Sequence, residues 1–328
     1  MNLIIPFIKL IRIQNLIIIA LTQYLLRYFI IKPLVEAKGF DLVMSHLDFF
    51  LLSLSTVLIA AAGFVINDYF DLKIDRINKP EKIIIGKHIK RRIAMGAHVV
   101  MNILGFTIGV YVAYVVGNWN LAFIQVFAIL SLWFYSTNFK FDLLAGNIII
   151  AMMAALIPLM VGLYEVPLLN RDLEVMYAQL IEAYDFNFNY IAYWTIGYAV
   201  FAFLMTFARE ITKDMADMEG DEVYEASTLP IKWGTTAAKI IIAFLYLSVI
   251  TGVIIVQQMF LRDKISLSYV AIFICLPLIY TTYITFKGKE RKQYLTASNF
   301  NKAISLFGIL YALLFSEILR QYMEQQNF

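Results

Sequence analysis

The feature that most constrains this chain is a series of apolar runs, each long enough to cross a lipid bilayer as a helix. A membrane helix needs about 20 mostly apolar residues, and the 328-residue chain holds nine such runs. They lie near 13–31, 47–66, 93–116, 119–137, 143–163, 190–209, 237–257, 265–286 and 300–321. The sequence therefore predicts an all-α polytopic membrane protein with nine transmembrane helices. Because no soluble stretch of domain size remains between the runs, we expect a single membrane domain over 1–328.

The composition supports this prediction and excludes several other classes of protein. Hydrophobic residues make up 61% of the chain and charged residues only 16%, whereas soluble domains carry about 25% charged residues. The single cysteine, Cys275, excludes a disulfide framework and a cysteine-ligated metal, and His46, His88 and His98 lack the spacing of a histidine metal site. The small formal charge of +3 gives no reason to expect a nucleic-acid partner.

The distribution of basic residues predicts how the chain is oriented. Most of the 27 lysine and arginine residues lie before the first apolar run or after the second, fourth, sixth and eighth runs. Cytoplasmic loops are enriched in these residues, so we expect the N-terminus and these loops to be cytoplasmic and the C-terminus to lie outside. The expected location is the plasma (inner) membrane.

The segment 164–189 mixes apolar and acidic residues after the fifth run. Its apolar members are Leu168, Leu169, Leu173, Met176 and Leu180, and its acidic members are Asp172, Glu174 and Glu182. This pattern predicts either an amphipathic helix on the membrane surface or a plain external linker.

Two acidic motifs stand at the ends of the second and sixth runs, each with three aspartates at positions i, i+3 and i+7. They are Asp68, Asp71 and Asp75 in the first motif and Asp214, Asp217 and Asp221 in the second. On a continuing helix such positions share one face, where carboxylates repel one another unless a cation lies among them. Mg²⁺ prefers oxygen ligands and is often shared with the phosphates of a substrate. Because both motifs reach the same side of the membrane, they predict one cavity that binds Mg²⁺ and a pyrophosphate. The alternative is that the aspartates are solvated charges beside the membrane.

The candidate site residues follow from these motifs, from the polar residues near them, and from Tyr135, Ser136 and Lys140 at the end of the fourth run on the same side of the membrane. The six aspartates are the candidate catalytic residues, and together with Asn67 they are the candidate metal ligands. Lysine and arginine can bind the phosphate oxygens that a metal leaves free. The candidate pyrophosphate-binding residues are Asn67, Lys73, Arg76, Tyr135, Ser136, Lys140, Arg209 and Lys213. For the basic members, the orientation bias alone is the competing explanation.

Both motifs resemble the signatures of a known family. The first reads Asn67-Asp68-Tyr69-Phe70-Asp71-x-x-x-Asp75 and is similar to the first signature of the UbiA superfamily of intramembrane prenyltransferases. The second, Asp214-x-x-Asp217-x-x-x-Asp221, is similar to the second signature. The resemblance implies nine transmembrane helices around a central cavity that opens to lipid, with the aspartates of both motifs binding Mg²⁺ and pyrophosphate. It further implies transfer of a prenyl group from a prenyl pyrophosphate to a lipophilic acceptor.

Within that superfamily, the run from Arg209 to Asp221 is most similar to the digeranylgeranylglyceryl phosphate synthases. That resemblance implies a geranylgeranyl donor and geranylgeranylglyceryl phosphate as acceptor. The loop after the first motif departs from the subfamily pattern, because Lys82-Ile83-Ile84-Ile85-Gly86 lacks its two prolines and its serine. The acceptor therefore stays open at this point, and an aromatic quinone precursor or a tetrapyrrole remains an alternative.

Two further alternatives belong to other functional classes. A transporter usually has ionisable or broken-helix sites near the middle of the bilayer, whereas the apolar runs here are nearly free of charge, with Arg27 and Glu317 as the main exceptions. A non-catalytic membrane scaffold would tolerate loss of the aspartates and would not depend on Mg²⁺. The sequence predicts neither an oligomeric state nor the general base of the reaction.

Overall fold

The computed structural model describes residues 3–78, 80–184 and 187–326, without the side chains of 173–184 and 326. These residues contain nine helices long and apolar enough to cross a membrane, and they contain no β-strand. The nine are α1 (Ile13–Glu36), α2 (His46–Phe70), α3 (Arg91–Val116), α4 (Trp119–Thr137), α5 (Ala145–Tyr184), α6 (Asn189–Val223), α7 (Gly234–Leu261), α8 (Lys264–Lys287) and α9 (Arg291–Gln326). The predicted fold class and span number are confirmed, while the single domain over 1–328 stays a prediction.

The segment after the fifth apolar run differs from its prediction. Instead of forming a separate surface helix or a linker, the chain continues α5 without a break as far as Tyr184. Leu168 and Leu169 are only 5% and 2% exposed and pack into the apolar core, because the helix keeps one face against its neighbours beyond the predicted end of the span. Asp172 is exposed, and the other predicted side chains of the segment lie outside the described ones.

Short elements before α1 and after α2 bring polar residues to one end of the bundle. A helix over Ile4–Leu10 precedes α1, and a helix over Leu72–Asn78 follows α2. Leu10 is buried beside Val65 and Ile85 in a small apolar cluster. This cluster fixes the N-terminal segment and the loop after the first motif against the end of α2.

Neighbouring helices approach closely where small residues face each other, as is common in membrane proteins. The hydroxyl of Ser55 on α2 donates a hydrogen bond of 2.6 Å to the carbonyl oxygen of Gly105 on α3. A Cβ atom at residue 105 would lie only 2.8 Å from Cγ1 of Ile59. Glycine at this position therefore lets the backbones of α2 and α3 meet.

One charged pair is completely buried, and it joins α1 to α5. Arg27 is 0% exposed, and its Nε lies 3.3 Å from Oε2 of Glu165. The same guanidinium donates to the carbonyl oxygen of Met44 and stacks over the ring of Phe49 at 4.5 Å. Intramembrane charges are expected to find a partner inside the protein, and Arg27 does so.

Candidate active site

A cavity of about 980 Å³ lies between α1, α2, α4, α5 and α6. Its mouth is polar and contains residues of both aspartate motifs, whereas its deeper walls are mainly apolar. Representative deep residues are Phe64 on α2, Leu132 on α4 and Met153 and Ile157 on α5. The cavity therefore has a charged region at its mouth and a mainly apolar region beyond it.

The first motif spans a break between two helices. α2 ends at Phe70, and Asp71 caps it with φ −74° and ψ −7° before the helix Leu72–Asn78 begins. The hydrogen bonds from Asp71 N to Asn67 O and from Asp75 N to Asp71 O, 3.0 and 2.9 Å long, keep the turn nearly helical. Asp75 thus belongs to a different helix from Asp68, and the expectation of one continuing helix is wrong for this motif. All three aspartates, with Asn67, nevertheless line the cavity.

The carboxylates of the first motif are paired with cations from other parts of the chain. Arg12, just before α1, contacts Asp68 at 2.6 Å, and Lys140, between α4 and α5, contacts Asp71. The side-chain amide of Asn67 also donates to Asp71 at 2.7 Å. Burial lowers the pKa of Lys140, but the carboxylates of Asp71 and Asp75 together outweigh burial and raise the pKa above its ordinary value. Lys140 therefore stays charged beside Asp71.

The second motif lies on one unbroken helix, α6, as expected from its spacing. Asp214 and Asp217 line the cavity, whereas Asp221 is 7% exposed and lies outside the cavity lining. Nδ2 of Asn147 donates to Oδ2 of Asp214 at 2.7 Å, and Arg291 lies 3.2 Å from Oδ1 of Asp217. The structure therefore places two of the three aspartates at the cavity.

Glu210 organises the two basic residues of α6 that line the cavity. Its Oε1 accepts from Lys213 at 2.6 Å and from Arg209 at 3.4 Å. The Nε atom of Arg209 is buried and has no hydrogen-bond partner among the described residues. A buried donor without a partner costs stability, and the Arg209 side chain that carries it lines the cavity.

Three of the predicted pyrophosphate-binding residues do not line the cavity. Lys73 and Arg76 line a separate groove of about 510 Å³, which they share with Lys87 and Arg91. Ser136 is buried and donates to the carbonyl oxygen of Leu132, one turn back on α4, at 2.9 Å. By contrast, the structure brings the remaining five to the cavity. These are Asn67, Tyr135, Lys140, Arg209 and Lys213.

Several residues that shape the site were absent from the predicted set. Arg12 and Glu210 line the cavity, and Asn147 and Arg291 contact its aspartates. Glu210 had a detectable signal, because it precedes Asp214 by four positions and so shares its helix face. The other three come from distant segments, and no local spacing relates them to either motif.

The side chains at the mouth have the ligand chemistry of a magnesium site, but they are not gathered into one. Among the described residues, no three His, Cys, Asp or Glu side chains are grouped so as to hold a metal ion. The carboxylates of Asp68, Asp71 and Asp217 are instead turned towards basic residues. The donors are all oxygen atoms, which fits a hard cation such as Mg²⁺. A bound cation would take over the charge compensation that Arg12 and Lys140 give here.

Comparison with known proteins identifies relatives of the whole bundle. Residues 36–303 match the model of the UbiA prenyltransferase family. A digeranylgeranylglyceryl phosphate synthase of Methanobrevibacter smithii is 32% identical over 236 residues, which cover 72% of this chain and 72% of that protein. The match therefore includes most of both chains.

Solved structures have the same fold. A structure reported for digeranylgeranylglyceryl phosphate synthase in membranes is similar with a TM-score of 0.67 and 24% identity, covering 96% of this chain and 99% of the other. A UbiA homologue from Archaeoglobus fulgidus, bound to DMAPP and Mg²⁺, is similar with a TM-score of 0.59 and 19% identity, covering 95% and 99%. At these identities the likeness concerns the fold.

Proposed function

The chain belongs to the UbiA prenyltransferase family, and on that basis we propose Mg²⁺-dependent transfer of a geranylgeranyl group from its pyrophosphate to geranylgeranylglyceryl phosphate. The observation that carries the proposal is the single cavity, in which five motif aspartates and several basic residues surround the mouth of an apolar chamber. Membership of an enzyme family decides against the transporter and scaffold alternatives. Acceptor and donor chain are chosen because relatives over most of the chain are named digeranylgeranylglyceryl phosphate synthases.

The mouth of the cavity is suited to a pyrophosphate. Arg209 and Lys213 lie on one wall, and Lys140 lies on another. The buried Nε of Arg209 has no hydrogen-bond partner in the part of the chain that the structure describes. Asn67 and the aspartates Asp68, Asp71, Asp75, Asp214 and Asp217 would hold Mg²⁺. When bound, Mg²⁺ would neutralise the negative charge that grows on the departing pyrophosphate. The basic side chains act in the same direction, because preorganised positive charge stabilises the leaving group most in the transition state.

The deeper cavity is suited to an isoprenoid chain. Thr56 lies more than three turns below Asp68 on α2 and also lines the cavity, which corresponds to a depth of about 18 Å at 1.5 Å per residue. Apolar side chains of α2, α4 and α5 form most of this length. They exclude water from the allylic carbon that becomes positive as the C–O bond breaks. The oxygen of the acceptor hydroxyl then forms the new C–O bond to that carbon, and the released pyrophosphate takes up the hydroxyl proton.

We also propose an orientation in the membrane for this integral membrane protein. The lysine and arginine residues before α1 and between α2 and α3 lie on the side of the cavity mouth, and such loops are enriched on the cytoplasmic side. The mouth and N-terminus would then face the cytoplasm, and after nine spans the C-terminus would lie outside. The plasma membrane is the proposed location. A C-terminal reporter that is accessible from the cytoplasm would contradict this orientation.

The proposal can be tested with purified full-length protein in lipid, Mg²⁺ and labelled geranylgeranyl pyrophosphate. We expect labelled lipid product with geranylgeranylglyceryl phosphate, and a fall of at least about 1000-fold in kcat/KM for Asp71→Asn and Asp217→Asn, since both carboxylates would hold the Mg²⁺ that binds the pyrophosphate. Asp142→Asn is the matched control, because Asp142 is exposed close to the mouth without lining the cavity.

Parallel reactions with 4-hydroxybenzoate or a naphthoate test the identity of the acceptor separately from the prenyl transfer itself. If product forms only with an aromatic acceptor, the proposed acceptor is wrong and the proposed prenyl transfer still holds. Full activity of both aspartate variants would remove the proposed mechanism.

A further inference from the structure

Asn78 lies where the two aspartate motifs meet. It ends the helix Leu72–Asn78, three positions after Asp75, and its side chain reaches the backbone of α6. Its Nδ2 donates to the carbonyl oxygen of Asp217 at 3.2 Å, and its Oδ1 accepts from the backbone N–H of Gly220 at 3.1 Å. With 8% of its surface exposed, the amide of Asn78 is held on both sides by the second motif. We propose that Asn78 is a positioning residue that fixes the distance between the two motifs.

Gly220 makes this contact possible. A Cβ atom at residue 220 would lie 2.4 Å from Oδ1 of Asn78 and 2.5 Å from its Nδ2, which is closer than such atoms can approach. The requirement is specific to this place on α6, because a Cβ at Gly197 on the same helix would meet nothing within 4 Å. Because residue 220 has no side chain, the amide of Asn78 can contact the backbone of the second motif at this point.

The break in the first motif explains why such a contact matters. Asp75 follows the turn at Asp71, so α2 alone does not set its position, whereas Asp217 lies within the continuous helix α6. Arg12 and Lys140 contact the two carboxylates before the turn or at it. Asn78 contacts α6 after the turn, between Asp217 and Asp221. It therefore joins the part of the first motif that follows the turn to the continuous helix of the second motif.

This inference rests on the proposed function, because the distance between the motifs matters only if both hold one metal–pyrophosphate group. The test uses full-length protein in lipid nanodiscs, with Mn²⁺ binding in the presence of inorganic pyrophosphate measured by EPR. We expect Asn78→Ala and Gly220→Ala each to weaken Mn²⁺ binding about tenfold, since each removes the same pair of buried hydrogen bonds. The Mg²⁺ concentration for half-maximal activity should rise similarly, while kcat at saturating Mg²⁺ changes less.

The double variant decides whether the two residues act together. If they form one contact, Asn78→Ala combined with Gly220→Ala should bind Mn²⁺ about as weakly as either single variant, because substitutions in one contact are not additive. Gly197→Ala is the matched control and should bind as the wild type does. Thermal melting of each variant shows whether it is folded. If Asn78→Ala does not accumulate, Gly220→Ala alone tests the positioning role, because it adds one methyl group and keeps every polar group.

The outcomes separate this inference from the proposed function. Unchanged Mn²⁺ binding by folded variants, or a double variant weakened about 100-fold as independent sites would give, overturns the positioning role alone. If the melting temperature falls while Mn²⁺ binding stays constant, the contact is purely structural, and the positioning role is overturned. A wild-type protein that binds no Mn²⁺ with pyrophosphate overturns the proposed function and the positioning role with it.

Discussion

The first aspartate motif is divided between two helices, whereas the second lies on a single unbroken helix. Asp68 is on α2 and Asp75 is on the helix Leu72–Asn78, with Asp71 at the turn between them. The second motif has the same spacing, but α6 continues through it to Val223. The same spacing therefore occurs in one motif that is divided by a turn and in one motif that lies on a continuous helix.

The two motifs also differ in what neutralises their carboxylates. Asp68 and Asp71 contact basic side chains from outside their own helix, Arg12 and Lys140. Asp214 accepts from the neutral amide of Asn147, and the basic residues of α6 are directed to Glu210 instead. Both carboxylates of the first motif thus contact cations from distant segments, whereas in the second motif Asp217 contacts the distant cation Arg291 and Asp214 contacts a neutral amide.

Among the residues that support the two motifs, the largest effect should come from removing the cations that contact the first motif. Arg12→Gln and Lys140→Gln should each lower kcat/KM about 100-fold, because each removes a preorganised positive charge at the mouth of the cavity. Steady-state kinetics in nanodiscs at saturating Mg²⁺ measure this. If both variants lose less than about threefold in kcat/KM, the first motif does not depend on its two cations, and the contrast between the motifs is lost.

A smaller effect is expected at the second motif when its neutral donor is removed. Asn147→Leu should lower kcat/KM about 30-fold, since a hydrogen bond to a carboxylate contributes roughly 2 kcal/mol. Asn120→Leu is the control, because Asn120 is exposed at the start of α4 and lies outside the cavity lining. If Asn147→Leu proved as damaging as Lys140→Gln, the contrast between charged and neutral support would be lost.

The smallest effect should be seen at the basic residues that the structure places outside the cavity. Lys73→Gln and Arg76→Gln should change kcat/KM less than about twofold, because exposed charges contribute little at a distance. Both follow the first motif closely in sequence, so they are matched controls for Lys140→Gln. A large loss at Lys73 would show that closeness in sequence, and not the cavity lining, identifies the functional cations.

The sequence was sufficient for the spans and for placing the second motif on one helix, but it did not reveal that Asp221 lies outside the cavity lining, nor which distant segments meet there. Apolar runs of about 20 residues locate membrane helices because every backbone polar group must be satisfied inside the bilayer. Spacing at i, i+3 and i+7 correctly placed Asp214 and Asp217 on one helix. The same spacing could not reveal the turn at Asp71, because a near-helical turn leaves the order of residues unchanged.

The polar neighbours of the motifs divide in the same way. Lys140 was predicted from its place at the end of a span and lies in the cavity, whereas Lys73 was predicted from its nearness to Asp71 and does not. Within two adjacent residues, Tyr135 faces the cavity and Ser136 faces its own backbone. Side-chain direction on a helix rotates by about 100° per residue, so closeness in sequence does not decide which side chain reaches the site.

The buried pair of Arg27 and Glu165 has a consequence for how the protein is made. The two residues are 138 positions apart, and at roughly 5–20 residues per second a ribosome adds the second about 7–30 s after the first. During that interval α1 enters the bilayer with an unneutralised guanidinium, at an insertion cost of about 3 kcal/mol. Biogenesis must therefore tolerate a nascent chain in which Arg27 lacks its acidic partner until the fifth helix has been made.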